Sequence, residues 1–327
     1  MPVSLQINLA PGDYLHAKFI LKHQLDILSN QVDEIILTIE TKPSNGRFAD
    51  GWDENKLQLY SFLKKEIEPH FDVQIIPVDY SEKIKKTIAD YFFGTDFIPE
   101  KDFRGGPFYA YFFGLHSASN NLIFHIDSDL FLGGGSQKWV QEASDFFDKD
   151  PDCFIVSPLP GPPHPDGTLK DQTVVKKISS FTYELKGMST RIFLIDKSKF
   201  NTDKLSQLKP SIKNQIKAYA EGNSNADLPE HLIASYMQLH LLKRIDFLGS
   251  NEGLWSLHPP YRSSNFYSRL PEIIEKIQHN DLPENQYGFY DIVDEVCDWS
   301  EAREIIKNYR WWKKLLVNQK LKIFPNK

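Results

Sequence analysis

The sequence predicts an α/β protein with a mostly parallel sheet flanked by helices and a helical C-terminal extension. Three observations predict it. Residues 4–9 (Ser-Leu-Gln-Ile-Asn-Leu) alternate as a strand does, a helical pattern follows, and a second apolar strand ends at Ile39. The crossover between those strands is too long for a hairpin, so they should lie parallel with a right-handed connection. A helical stretch then leads to another strand at 73–78, continuing the alternation. Finally, the apolar run 121–132 (Asn-Leu-Ile-Phe-His-Ile-Asp-Ser-Asp-Leu-Phe-Leu) reads as a buried strand that delivers Asp127 and Asp129 to its carboxyl end. Ligands of open α/β sheets bind beyond such strand ends.

Taken in order, Pro11-Gly12-Asp13 turns the first strand into a helix carried by Leu15, Phe19, Ile20, Leu25 and Leu28. Glu40 closes the second strand and should emerge on the same sheet edge as Asp127. Turn formers over 41–52 precede a helix at 54–67. Between 81 and 106 the pattern gives a short helix, the aromatic patch Tyr91-Phe92-Phe93 and a loop with Arg104-Gly105-Gly106-Pro107, a cation beside flexible backbone. Arg104 has the chemistry to clamp a phosphate bidentately, and equally to be one more surface arginine. An apolar helix at 108–117 then feeds the Asp127 strand.

Beyond Asp129, Gly133-Gly134-Gly135 offers backbone that passes close to a ligand or turns the chain. A helix at 137–147 and a strand at 153–157 follow. The Pro- and Gly-rich stretch 158–167 reads as a loop over the active edge, since proline is poorly suited to a central strand. Residues 178–196 read as strands broken at 187–190, and 203–225 as helix and loop. Asp227-Leu228-Pro229-Glu230-His231 opens a strong helix, with Asp227 as its expected N-cap and Glu230 as a first-turn acid favoured by the helix dipole. His258 ends a short apolar segment and is stiffened by Pro259-Pro260. From 271 the chain is helical with loops. Residues 307–327 carry basic side chains, no acid, and Trp311-Trp312. That segment reads as a helix packing its Trp face on the main body, with an anionic membrane surface as the alternative partner.

Composition narrows the function. With 327 residues and 41% hydrophobic content the chain can bury a large core, and 38 basic against 44 acidic residues (net −6) argue against broad nucleic-acid binding. Two distant cysteines, Cys153 and Cys297, indicate neither a disulfide framework nor a zinc site, which fits a cytoplasmic protein. No apolar run reaches the roughly 18 residues that span a bilayer. Asp127 and Asp129 are hard oxygen donors suited to Mg²⁺ or Mn²⁺ arriving with a diphosphate. Asp-X-Asp also occurs as an ordinary turn or helix cap.

Taken together, the β-α-β-α-β start, the strand ending in Asp127-Ser128-Asp129, the helix led by Glu230 and the late His258 resemble the GT-A fold of nucleotide-sugar glycosyltransferases, a Rossmann-type architecture. The resemblance covers residues 3–262, implying a nucleotide-sugar-binding and catalytic domain at 1–262 and a helical extension at 263–327. It further implies a hexosyltransferase-type enzyme that uses a UDP- or GDP-sugar donor, a carbohydrate or lipid-linked acceptor, and Mn²⁺ or Mg²⁺. Asp129 would be the direct metal ligand, Asp127 a ligand of metal or ribose, and His258 a further metal ligand. Glu40 would meet the nucleobase, Arg104 the nucleotide, and Glu230 would be the base of an inverting reaction. The usual Glu-Asp pair is here Glu230-His231. A haloacid-dehalogenase-like phosphatase also carries Asp-X-Asp at a strand end, but its motif normally lies near the N-terminus and is followed by Thr or Val where this chain has Phe131. A sugar nucleotidyltransferase would need a Gly-rich N-terminal loop, and residues 7–13 hold only Gly12. A non-catalytic nucleotide- or sugar-binding relative is the rival of another class.

Overall fold

The structure, a computed structural model, describes residues 1–43 and 51–308. Its first half is a run of crossovers: β1 (Val3–Leu9), α1 (Tyr14–Leu28), β2 (Glu34–Ile39), α2 (Trp52–Phe62), β3 (Gln74–Pro77), α3 (Glu82–Phe93), α4 (Tyr109–Ser117) and β4 (Leu122–Asp127). These strands lie side by side and parallel in the order β3-β2-β1-β4. Then come β5 (Phe131–Gly134), α5 (Trp139–Lys149), β6 (Cys153–Pro160), β7 (Val174–Ser179), β8 (Thr182–Leu185) and β9 (Ile192–Asp196). The described chain finishes with α6 (Ile212–Glu221), α7 (Pro229–Leu239), β10 (Lys243–Phe247), β11 (Leu254–Leu257), α8 (Ser264–Gln278) and α9 (Ser300–Asn308). The pairings make the sheet mixed but mostly of one direction: β5, β8 and β9 run against all the others.

Both faces of this sheet are covered. Leu5 and Ile7 of β1 pack with Leu21 and Leu25 of α1, Leu59 of α2 and Trp139 of α5 on one side. On the other, Ile36, Ile123, Phe154 and Phe193 meet Phe92 of α3, Phe112 of α4 and Ile233 of α7. Each buried phenylalanine removes enough apolar area from water to contribute roughly 2–3 kcal/mol. A third cluster joins Phe131, Leu159 and Trp255 to Phe266, Leu270 and Trp299, so residues after 262 share a core with the strands before them.

Four details add to the sequence reading or depart from it. The polar residues of β1 face α4: Gln6 and Asn8 are bonded to each other and to Thr38, Gln6 also meets His125, and a Cβ on Gly114 of α4 would lie 2.5 Å from Gln6. Pro158 and Pro160 end a central strand rather than a loop. They are tolerated at ladder ends: Pro158 stands opposite Phe247 at the last pair of the β6–β10 ladder, and Pro160 opposite Ser256 at the last pair of the β6–β11 ladder. Gly133 is not a turn; it opposes Trp255 in β5, where a Cβ would sit 2.0 Å from the indole. Leu228, not Asp227, is the N-cap of α7, and Asp227 instead accepts from the His231 ring at 2.8 Å. The basic segment of interest at the C-terminus lies, from residue 309 onward, outside the described residues. Among those described, no helix is long and apolar enough to cross a membrane.

Candidate functional site

The parallel register places Asn8 opposite Asp127 and Leu9 opposite Ile39, so β1, β2 and β4 end together and their following residues share one edge. The chain leaves β4 in a tight turn, with Leu130 N–H donating to the Asp127 carbonyl at 3.2 Å. A polar face of α1 holds that turn. Gln24 donates to the carbonyls of Asp127 (2.9 Å) and Leu130 (2.8 Å), His16 shares a hydrogen bond with Ser128 Oγ (3.0 Å), and His23 meets the Leu132 carbonyl (2.8 Å). Three buried polar groups on one helix are costly unless paired, and here they fix a loop beyond the sheet.

Asp129 is buried, and Arg262 reaches its Oδ2 from Nη2 (2.6 Å) and Nε (3.2 Å). The remaining Nη1 donates to Asp13 at 3.1 Å, so one guanidinium bridges the acids that follow β1 and β4. Burial alone would raise the Asp129 carboxyl, but Arg262, His258 and His16 outweigh it and hold the group below the usual carboxylate range. Asp129 Oδ1 nevertheless has no hydrogen-bond partner among the described residues, and neither has His16 Nδ1. Burial, with the Arg262 charge, lowers His16 to about 4, so its ring is neutral near pH 7.

His258 stands on the far side of this pair. Its Nδ1 is bonded to Asp291 at 2.7 Å and its ring stacks on Tyr290 with 5.7 Å between centroids, an arrangement that fixes the imidazole and leaves Nε2 uncommitted by that bond. Arg191, whose carbonyl receives the Asp127 N–H at 2.7 Å, feels the charges of Asp127, Asp129 and Asp291. Asp127 itself is more open, its side chain 39% exposed and 3.4 Å from His125 Nε2.

Glu230 is tied to this edge through a neighbour. The Tyr111 hydroxyl, buried and without a partner among the described residues, is pushed up first by burial and then by the charges of Asp127 and Glu230, which brings both carboxylates into its surroundings. Glu230 is partly exposed and 3.8 Å from His231 Nε2. Arg104 is exposed in a loop whose backbone is tied by Asp102 (2.7 Å to Arg104 N, 2.9 Å to Gly106 N) and joined at Phe103 to Ala226, just ahead of α7.

Glu40 behaves differently. Its carboxylate is almost fully buried and closed by Tyr80 (2.7 and 2.9 Å), Lys101 (2.8 Å) and the Lys42 N–H (3.0 Å). Contact with a base would require one of these partners to be exchanged.

The structure thus joins Asp129 to Arg262 and Asp13, with His258 near enough for its charge to act on Asp129; Asp127 ends β4, Glu230 lies in the first turn of α7, and Arg104 sits in the loop ahead of α4. Among the described residues, no three His, Cys, Asp or Glu side chains converge well enough to hold a metal ion by themselves. Sequence reasoning missed Arg262, although it lies four residues past His258 beyond two prolines. It also missed Asp13, Asp291 and the polar face of α1, whose His16, His23 and Gln24 recur at helical spacing in the sequence.

No protein-family model matches the chain, and no curated protein matches it. Loose structural likenesses exist. S. aureus TarS 1–349 superposes with a TM-score of 0.35 at 11% identity, over 87% of this chain and 68% of that one. A UDP-glucose pyrophosphorylase complexed with UDP-glucose gives 0.44 at 10%, over 84% and 99%. Glucosyl-3-phosphoglycerate synthase from Mycobacterium tuberculosis, in complex with Mn²⁺, UDP and glucosyl-3-phosphoglycerate, gives 0.35 at 9%, over 84% and 78%. At these scores the likeness transfers no residue role to this chain.

Proposed function

We propose that this protein is a nucleotide-sugar-dependent glycosyltransferase that moves a sugar from a UDP- or GDP-sugar to an acceptor hydroxyl of a carbohydrate or lipid-linked molecule, with inversion. The observation that carries the reading is the Asp129 carboxylate: buried, ionised, held at a sheet's carboxyl edge, and with one oxygen unpartnered among the described residues. A buried acceptor without a donor is costly, and its presence beside a cation at a strand end suits a ligand.

Asp127, Asp129 and His258 are the residues that would hold a divalent cation of the Mn²⁺ or Mg²⁺ kind: their oxygen and imidazole donors suit one, and Asp129 Oδ1 has no partner among the described residues. Such a cation would supply positive charge to the leaving diphosphate. The rest belongs to the chain. Gln24, His16 and His23 keep the Asp127–Asp129 turn in place, so the carboxylates need no reorganisation during the reaction. Asp291 orients the His258 ring. Arg104 offers an exposed guanidinium to the nucleotide, and Glu230 takes the proton from the acceptor hydroxyl as the sugar leaves the donor.

Isothermal titration of UDP, GDP, CDP and their sugars, each with and without Mn²⁺, tests this. Manganese-dependent binding of one nucleotide class, with release of that diphosphate when an acceptor is supplied, supports the reading. No binding, with hydrolysis of phosphate esters instead, overturns it in favour of a phosphatase.

A further inference from the structure

Arg262 was not among the residues the sequence singled out, and its geometry points to a specific task. Its guanidinium joins Asp129 and Asp13, acids 133 and 249 residues away that follow two different strands. The backbone around it is fixed on both sides. Pro259 and Pro260 precede it, Tyr261 packs on Trp299 at 5.9 Å, and Ser263 caps α8 through a bond from Phe266 N–H at 3.3 Å. The side chain itself stays 36% exposed, open to a ligand beside its two carboxylates.

We propose that Arg262 is a resident counter-ion of Asp129 that a diphosphate draws away, so that a divalent cation binds this protein with the nucleotide and hardly at all before it. The inference rests on the functional reading above and adds an order of binding to it. Asp129 cannot serve two neighbouring cations cheaply: a guanidinium at 2.6 Å neutralises the carboxylate and repels a second positive charge. A diphosphate presents oxygens in the planar geometry a guanidinium prefers, and so competes with Asp129 for it. Once Arg262 turns to the phosphate, Asp129 regains its full charge. Asp13 keeps the guanidinium close during the exchange. Coupling of this kind is reciprocal, so metal and nucleotide each strengthen the other's binding.

The test is a titration of Mn²⁺ alone, followed by the free-ion electron paramagnetic resonance signal, into the native chain and into R262Q, R262K and D13N, with melting curves confirming that each is folded. R262Q is expected to bind Mn²⁺ alone on the order of 10-fold more tightly than the native chain. R262K keeps the charge and should bind it as weakly as the native chain does. Asp13→Asn, which leaves Arg262 to Asp129 alone, should bind it no more tightly than the native chain, and this arm serves if R262Q does not fold. Equal Mn²⁺ affinity in R262Q and the native chain overturns the proposal, as does tighter binding in D13N. A parallel titration with UDP and GDP separates the two ideas: failure of every nucleotide to bind, with or without Mn²⁺, overturns the functional reading, whatever the metal-only result.

Discussion

Glu40 and Asp129 are both buried carboxylates at strand ends on one edge of one sheet, and they are finished in opposite ways. Glu40 has each oxygen occupied, by Tyr80, Lys101 and a backbone N–H, in a network that continues through Glu100 to Lys42 and Lys85. Asp129 has one oxygen on a movable guanidinium and one on nothing among the described residues. Burial and charge are alike in the two places; what differs is closure. A closed carboxylate ties β2 to the loop at 100–107, whereas an open one keeps capacity for a ligand.

Three changes sharpen that contrast, beginning with the largest effect. Glu230→Gln should lower turnover by about 10²- to 10⁴-fold while leaving donor binding unchanged, because a general base acts only in the transition state. Initial rates and nucleotide-sugar titrations on the same preparation check this, and undiminished turnover would remove Glu230 from the mechanism. Glu40→Gln should act on stability instead. The amide removes the buried charge to which Tyr80 and Lys101 donate, and hydrogen bonds to a charged group are worth about 1.5–3 kcal/mol each, so a loss of about 2–4 kcal/mol in denaturant unfolding is expected, with nucleotide binding retained in the folded fraction. A stable E40Q that no longer binds nucleotide would instead put Glu40 in the ligand site.

The third effect depends on pH. His16 is buried and neutral, titrating at about 4 rather than 6.5. Between those values the unfolded chain takes up a proton that the folded chain refuses, so stability should rise with pH across that window and fall as pH drops through it. At about 1.4 kcal/mol per pH unit the gap amounts to roughly 3 kcal/mol below pH 4. In His16→Gln the slope of stability between pH 4 and 6.5 should be shallower than in the native chain. An identical slope would show that His16 is not buried neutral beneath the Asp127–Asp129 turn.

Much of the fold was legible because the signals are local. The apolar run ending at Asp127 forms β4 as read, β2 spans Glu34–Ile39 as read, and the long crossover between β1 and β2 does make them parallel. What escaped depends on contacts distant in sequence. The strand at 4–9 is plain from its alternation, but not that α4 covers Gln6 and Asn8, whose burial is offset by bonds to Thr38 and His125. Pro158 reads as part of a loop until its place at the end of the β6–β10 ladder is known. At the site, the acids could be found from their strand ends, but Arg262 could not be assigned to Asp129 across 133 residues without the fold. The segments 44–50 and 309–327, with the basic stretch read as a Trp-faced or membrane-facing helix, lie outside the described residues.

The most direct test of the account compares the two carboxylates by one readout. Mn²⁺-dependent nucleotide binding should be measured by calorimetry for the native chain, Asp129→Asn and Glu40→Gln. The account predicts that D129N loses on the order of 10²-fold or more in affinity while E40Q stays within a few-fold of native. Native affinity in D129N, or equal losses in both, would contradict it.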